Sequence, residues 1–511
     1  MSVQWRLRAA DAAPCADTDA DTDAEVSTVC VGELPDDLSA GFLAGVGFTG
    51  AVGQVLQLPG AGTGPVRVLL GVGPRDDLGA AAVRTAAALL ARALTRHHRI
   101  TLHAPLPDLQ PLVEGYLLGG YRFTGYRSRA DRRADQHIDV VPAPPQAPAP
   151  RPPGTEHQPS TNPLPGSDDP AAGLAAGVLI GEAVLLARDL VNEPGQSLTP
   201  QLFAERATLL AKTTGLSCDV WDEDRIAAER LGGLAGVARG SLVPPRLVRL
   251  GYRPPVTEGR PPYRVALVGK GVTYDAGGLS LKPNAQLADM KADMAGAAAV
   301  LCAMAVLRGL DCPVAVDGWL PLTENMPNAD PTRVGDVLVI RDGTTVEVRN
   351  ADAEGRLILA DALVLAGETR PDAIIDVATL TDAAAVALGR RIAAVLGTDR
   401  TLVERLIAAG ERSGEPCWPL PLPQVYRRQL DSRVADLVNY TIGTRHGTAL
   451  LAGLFLREFV PAGIPWAHLD IQGTALCDAD EGEWSAGATG FGVRTLIQLL
   501  TTGPAVPPTL W

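Results

Sequence analysis

No Cys-x-x-Cys pair occurs in the 511 residues. The seven cysteines (Cys15, Cys30, Cys218, Cys302, Cys312, Cys417 and Cys477) are odd in number and scattered. That argues against a disulfide framework and against a thiolate zinc site. None of the seven histidines stands in a zinc-type HxxxH pair. The first residues, MSVQWRLRAADAAPCADTDAD, lack the apolar core of a signal peptide. The longest apolar run, AGAAAVLCAMAVL at 295–307, lies between Asp293 and Arg308 and is too short to span a bilayer. A soluble cytoplasmic protein with no membrane partner is expected. Positive charge is in deficit, with 45 Lys+Arg against 58 Asp+Glu, a net charge of −13 and a pI near 5.1. This balance argues against a surface that coats nucleic acid. Lysine itself is scarce: Lys212, Lys270, Lys282 and Lys291 are the only lysines among the 45 basic residues.

The length suggests two or three domains with ample core. Residues 142–166 read PAPPQAPAPRPPGTEHQPSTNPLPG, too rich in proline to build a core and suited to an extended spacer. The expected division is a small N-terminal α/β domain over 1–141, a Pro-rich linker over 142–170 and a catalytic α/β domain over 171–511. In the first, AAAVRTAAALLARAL (80–94) reads as a helix and VRVLLGVG (66–73) as a strand. In the last, β-rich runs at 264–270, 312–322, 372–380 and 467–471 alternate with helical patterns at 293–308, 355–367, 402–411 and 448–460. Such alternation predicts a layered α/β domain with a mixed, largely parallel sheet. The acidic tract DTDADTDAE (17–25) has the alternating Asp of a calcium loop but not its glycine and distal Glu, and reads as a solvated segment.

Three of the four lysines fall between 270 and 291, two of them in the glycine-rich stretch VGKGVTYDAGGLSLKP (268–283). A phosphate loop would place its lysine last, before Ser or Thr and at the head of a helix, so that reading fails on order. Lysine is instead the one basic side chain that can lose its proton and offer a lone pair, or serve as a compact, shiftable charge. Further on, NADAEGRLILADAL (350–363) sets Asp352, Glu354 and Arg356 where an apolar helix begins. A helix cap accounts for one acid but not for two acids and an arginine. The stretch asks for a cation.

The segments GKGVTYDAGGLSLKP, MKADMAGAAAV (290–300) and NADAEGRL (350–357) resemble the signature segments of the leucyl aminopeptidase family, two-metal cytosolic exopeptidases. ARDLVNEPGQSLTP (187–200), DVATLTDA (376–383), PWAHLDIQGTA (465–475) and GATGFGVRTL (487–496) are also similar to it, so the resemblance covers roughly 175–500. It implies removal of the N-terminal residue of a peptide substrate by a hydroxide bridging two divalent metals. By resemblance Asp275 and Glu354 bridge the ions, Asp352 completes one site, and Asp293 with the neutral amine of Lys270 completes the other. Zinc is implied in the tight site, and Zn, Mn, Mg or Co in the weaker one. Lys282 would stabilise the oxyanion, and Arg356 would hold a bicarbonate that acts as general base. Met290, Thr379, Asp382 and residues near 450–454 would line the first-residue pocket. The resemblance also implies a homohexamer, a dimer of trimers.

The chain departs from the family pattern at three places. Alanine stands at 351 where the family has threonine, Asp382 where glycine is usual, and His446 where glycine is common. The catalytic set is complete while the pocket is altered. This keeps a second reading open, a peptide or amide hydrolase narrowed to one biosynthetic intermediate. A third, a DNA-binding or structural member of the family, is opposed by both the acidic composition and the complete ligand set.

Overall fold

A computed structural model describes residues 3–8, 22–33, 35, 37–60, 62, 64–128, 135–142, 169–255, 262–443 and 446–503. Most of the Pro-rich stretch (143–168) and residues 17–21 of the acidic tract lie outside these described residues. The chain divides into two compact units, Met1–Leu185 with Ala479–Ser485, and Leu186–Asp478 with Ala486–Trp511.

The first unit holds a six-stranded sheet in the order Val3–Leu7, Gln136–Pro142, Arg99–Ala104, Ala24–Cys30, Val66–Gly73, Val55–Leu58. All neighbours are parallel except the last pair. Helices Ala80–Ala93 and Gln110–Gly120 lie backbone to backbone, because any side chain at Gly115 or Gly119 would meet the main chain of Arg84 or Ala88.

The second unit is built on a nine-stranded sheet. Its order is Cys417–Pro419, Ala393–Gly397, Trp466–Asp470, Ala373–Ala378, Arg264–Gly269, Ala315–Asn325, Arg246–Tyr252, Ser217–Trp221, with Gly271–Asp275 paired to Ala315–Asn325 off this path. The central strands run parallel. The 393–397 strand and the 217–252 hairpin join antiparallel. Helices Ala295–Ala305 and Glu354–Glu368 pack on the central strands. Every residue of the former is buried, as is 354–367 of the latter. Neither has a polar face, so length and flanking charge, rather than amphipathic period, mark them as helices. The buried Asp361 within the second accepts the backbone N–H groups of Leu234 (2.8 Å) and Arg341 (2.9 Å), fixing that helix against its surroundings. Burial lifts its carboxyl to a pKa of about 7.

The helix Pro170–Asn192 is long and apolar enough to cross a membrane by length and composition. In the sequence its apolar residues are divided by Glu182, which leaves each uninterrupted run shorter than 295–307. Arg188, in its last turns, is fully buried and donates Nε to the carbonyl of Thr489 at 2.9 Å, the behaviour of a core helix.

Candidate active site

The chemistry-bearing residues converge at the carboxyl ends of the central parallel strands, where open α/β sheets place their sites. Lys270 follows Arg264–Gly269 directly, and Asp275 ends Gly271–Asp275. Thr379 follows Ala373–Ala378, and Asn325 ends Ala315–Asn325. Asp293 closes the 3-10 turn Met290–Ala292 just before helix Ala295–Ala305. Glu354 opens helix Glu354–Glu368, which has no side-chain cap, so its acids are not spent on capping. Between Asp275 and Lys282 the chain doubles back through Gly277 (φ +89°) and Gly278 (φ +58°), backbone that glycine adopts without strain.

Lys270 Nζ lies 2.7 Å from Asp293 Oδ1, 2.9 Å from Glu354 Oε1 and 2.8 Å from the carbonyl of Thr379. Lys282 Nζ lies 2.9 Å from Asp275 Oδ2 and 2.5 Å from Asp352 Oδ1. Asp275 Oδ1 accepts from Gly277 N (2.9 Å) and Asn325 Nδ2 (2.8 Å), and Thr379 Oγ1 donates to Asp293 Oδ1 (2.8 Å). Burial opposes the charge of both lysines, but the surrounding carboxylates outweigh it and raise both pKa values. Burial, reinforced by neighbouring acids, raises the carboxyls of Asp275 and Asp293, and lifts Asp352 to about 7. Burial presses the same way on Glu354, but Lys270 and Lys282 hold it below the usual value.

Four carboxyl groups face two ammonium groups here; with all four ionised, the state a cation would draw out, two negative charges stay uncompensated within the cluster. Asp293 Oδ2 and Glu354 Oε2 are buried with no hydrogen-bond partner among the described residues. Carboxylate oxygens of Asp275, Asp293 and Glu354 lie within 4.8 Å of one another. Orphaned oxygens and excess negative charge in so small a space fit divalent cations, for which carboxylates are natural ligands. The close approach of helix and lysine is exacting. A Cβ at Gly355 would fall 2.6 Å from Lys270 Cε and 2.8 Å from its Nζ. Gly355→Ala should therefore displace Lys270, keep the thermal transition within a few degrees of wild type, and cut kcat/KM by about a hundredfold, since a 1 Å misplacement can cost that much. Wild-type kcat/KM in this variant would show that Lys270 has no fixed place in the site.

Arg356 is buried, and burial lowers its pKa to about 10 against the opposing charges of Tyr440, Glu354 and Asp470. Its Nη1 donates to the carbonyl of Asn439 at 2.6 Å, and the guanidinium lies 5.6 Å from the ring centre of Tyr440. Both carboxylate-bound lysines, all four acids and Arg356 line one cavity of about 680 Å³, together with Met290, Thr379 and Asp382. The structure thus brings together all ten residues expected by number at the metal, catalytic and pocket positions, though not those near 450–454.

One pocket expectation changes. Near 450–454, Leu451 and Leu454 sit in the hydrophobic core, and Thr448 lines the cavity. Asp382, on the cavity lining, is exposed and accepts from Gln472 Nε2 at 3.3 Å. His446 is exposed in the turn before helix Thr448–Arg457 and is not among the residues lining the cavity. Ala351 is buried, with its N–H on Ser280 Oγ (3.0 Å) and its carbonyl on Asn325 Nδ2 (3.0 Å). Sequence reasoning missed Asn325, Asn439 and Gln472, since a single amide side chain carries no spacing pattern.

Known proteins place the same constellation in context. The cytosol aminopeptidase family's catalytic domain matches residues 185–497 and its N-terminal domain matches 34–130. A "Probable cytosol aminopeptidase" of Leifsonia xyli subsp. xyli is 44% identical over 469 residues, 89% of each chain. One of Streptomyces griseus subsp. griseus is 44% identical over 470 residues, 90% of this chain and 89% of its own. The solved structure of the bottromycin maturation enzyme BotP in complex with Mn superposes with a TM-score of 0.83 at 41% identity, covering 94% of this chain and 99% of its own. This chain belongs to the cytosol aminopeptidase family and is a metal-dependent aminopeptidase.

Proposed function

We propose that Asp275, Asp293, Asp352 and Glu354, with Lys270 as a neutral amine once a bound ion displaces its proton, hold two divalent ions and that the chain releases the first residue of a peptide at this cluster. The observation that carries the reading is the pair of orphaned carboxylate oxygens, Asp293 Oδ2 and Glu354 Oε2, inside a cluster with surplus negative charge. The ions would supply Lewis acidity and an acidified water. Asp275, with one oxygen already fixed by Gly277 and Asn325, and Glu354, whose carboxylate oxygen lies within 4.8 Å of that of Asp275, would be the acids shared by the two ions. Asp293, oriented by Thr379 and Lys270, would also receive the free α-amine of the peptide, which restricts cleavage to the first residue. Lys282 supports negative charge as it develops on the carbonyl oxygen. Arg356 makes one hydrogen bond to the described residues, and its remaining donors suit a small planar anion such as bicarbonate, which would act as general base.

A relative solved in complex with Mn supports Mn as one of the ions held; Zn in the tighter site rests on the family resemblance alone. The name of the relatives supports a cytosolic location. The homohexamer, a dimer of trimers, rests on the family resemblance alone. Two further observations favour a narrowed substrate, a peptide undergoing maturation in a biosynthetic pathway. One is that the BotP structures at 41% and 42% identity are those of a maturation enzyme. The other is the polar Asp382–Gln472 pair in the cavity. The test is elemental analysis joined to chelation. The protein should carry about two divalent ions per chain. Exhaustive chelation should abolish hydrolysis of peptide substrates, and Mn or Zn should restore it. Full activity in metal-free protein would refute the proposal.

A further inference from the structure

The cavity extends from the carboxylate cluster to a second wall formed by Thr381, Asp382, Val386, Arg390 and Gln472. This wall is tied to the cluster by a short path. Thr379 is bonded to both Asp293 and Lys270, and Asp382 follows three residues later. Three residues of chain span at most about 11 Å. Asp470 fixes the intervening turn, accepting from Leu380 N (3.2 Å), Thr381 N (3.4 Å), Thr381 Oγ1 (2.6 Å) and Gln472 N (3.2 Å). Gln472 is thereby anchored by its main chain, and its Nε2 donates to Asp382 Oδ1 at 3.3 Å.

Acceptors outnumber free donors on that wall. Gln472 gives one N–H of its amide to Asp382, which leaves one N–H and a carbonyl oxygen with two acceptor sites. Asp382 has Oδ2 uncommitted among the described residues and offers only acceptor sites. Arg390, the one cation of this wall, is held by both oxygens of Asp478 at 2.9 Å each. Asp289 adds a further carboxylate to the lining. An aliphatic first side chain reaching this wall would displace water from its acceptors without replacing the hydrogen bonds, whereas a long side chain ending in N–H donors would replace them.

We propose that Asp382 and Gln472 together select peptides whose first residue carries a cationic side chain, lysine or arginine. This rests on the aminopeptidase reading of the cavity and names its substrate class. The test compares kcat/KM for two aminoacyl amides that share a four-carbon side-chain stem, lysine and norleucine, in the metal-loaded full chain. Norleucine removes the charge and keeps the stem. The lysine-to-norleucine ratio should exceed about tenfold in wild type at low salt and shrink as salt rises. Asp382→Asn should bring the ratio down about tenfold, and Gln472→Glu, which adds a second carboxylate, should raise it. Both positions line the cavity, and Asp382 is exposed, so these isosteric changes leave the core untouched. A wild-type ratio at or below one, or a ratio that Asp382→Asn does not move, overturns the proposal while leaving the aminopeptidase reading in place. Failure to cleave either amide would overturn both.

Discussion

Glu354→Ala should leave the chain folded and remove both its metal and its hydrolysis. Glu354 is buried, bonded through one oxygen to Lys270 at 2.9 Å, and orphaned at the other. Its loss takes one of three converging acids from a small space. Metal content should fall from about two ions per chain to one or none. Groups that merely orient metal ligands cost about 10- to 100-fold when lost, so a ligand itself should cost more than a hundredfold in kcat/KM. Folding is spared because Lys270 keeps Asp293 at 2.7 Å and because neighbouring Asp275 loses a repelling charge. Thermal denaturation with and without Mn separates the two effects. A ligand that binds only the native state, at about 100 times its Kd, stabilises by about 2.7 kcal/mol, so Mn should raise the wild-type transition clearly and the variant's far less. A variant that still binds two ions would remove Glu354 from the ligand set.

Much of this site was legible because its residues are unusual for where they stand. Arginine dominates the basic residues, so Lys270 and Lys282 stood out, and both prove to be locked to carboxylates. The acids at 352 and 354 were excessive for a helix cap, and the helix Glu354–Glu368 indeed has no side-chain cap. The central strands and buried helices were readable from short β-rich runs and apolar stretches of helical length. The antiparallel hairpin Ser217–Trp221 and Arg246–Tyr252 was not. Its outer strand is mostly exposed or half-buried, without the continuous apolar run of a central strand. The pocket wall was read least well. Whether Leu451 or Thr448 faces the cavity depends on the rotation of one helix, and that rotation is set by packing against the core. The partner of Asp382 lies 90 residues away on another loop, a distance no local pattern spans.

Lys282→Ala should fail in the opposite way to Glu354→Ala, keeping its metal and losing its turnover. Lys282 is the more accessible lysine of the cluster, with 12% of its side chain exposed against 4% for Lys270. It lines the cavity at the end of the Gly277–Gly278 turn, where a polarised carbonyl oxygen can meet it. Its contacts to Asp275 (2.9 Å) and Asp352 (2.5 Å) bind it to the acids while leaving it on the lining of the cavity. Removing a competing ammonium from those acids should preserve or tighten metal binding. Removing the donor for a developing oxyanion should lower kcat about 100- to 1,000-fold with a smaller change in KM, because the interaction strengthens as charge develops. Lys282→Arg should restore part of the loss by keeping the charge, but not all, since a planar guanidinium cannot take the place of a compact ammonium in that turn. Unchanged kcat in Lys282→Ala would exclude the residue from the chemistry, and lost metal would make it part of the ion-holding set instead.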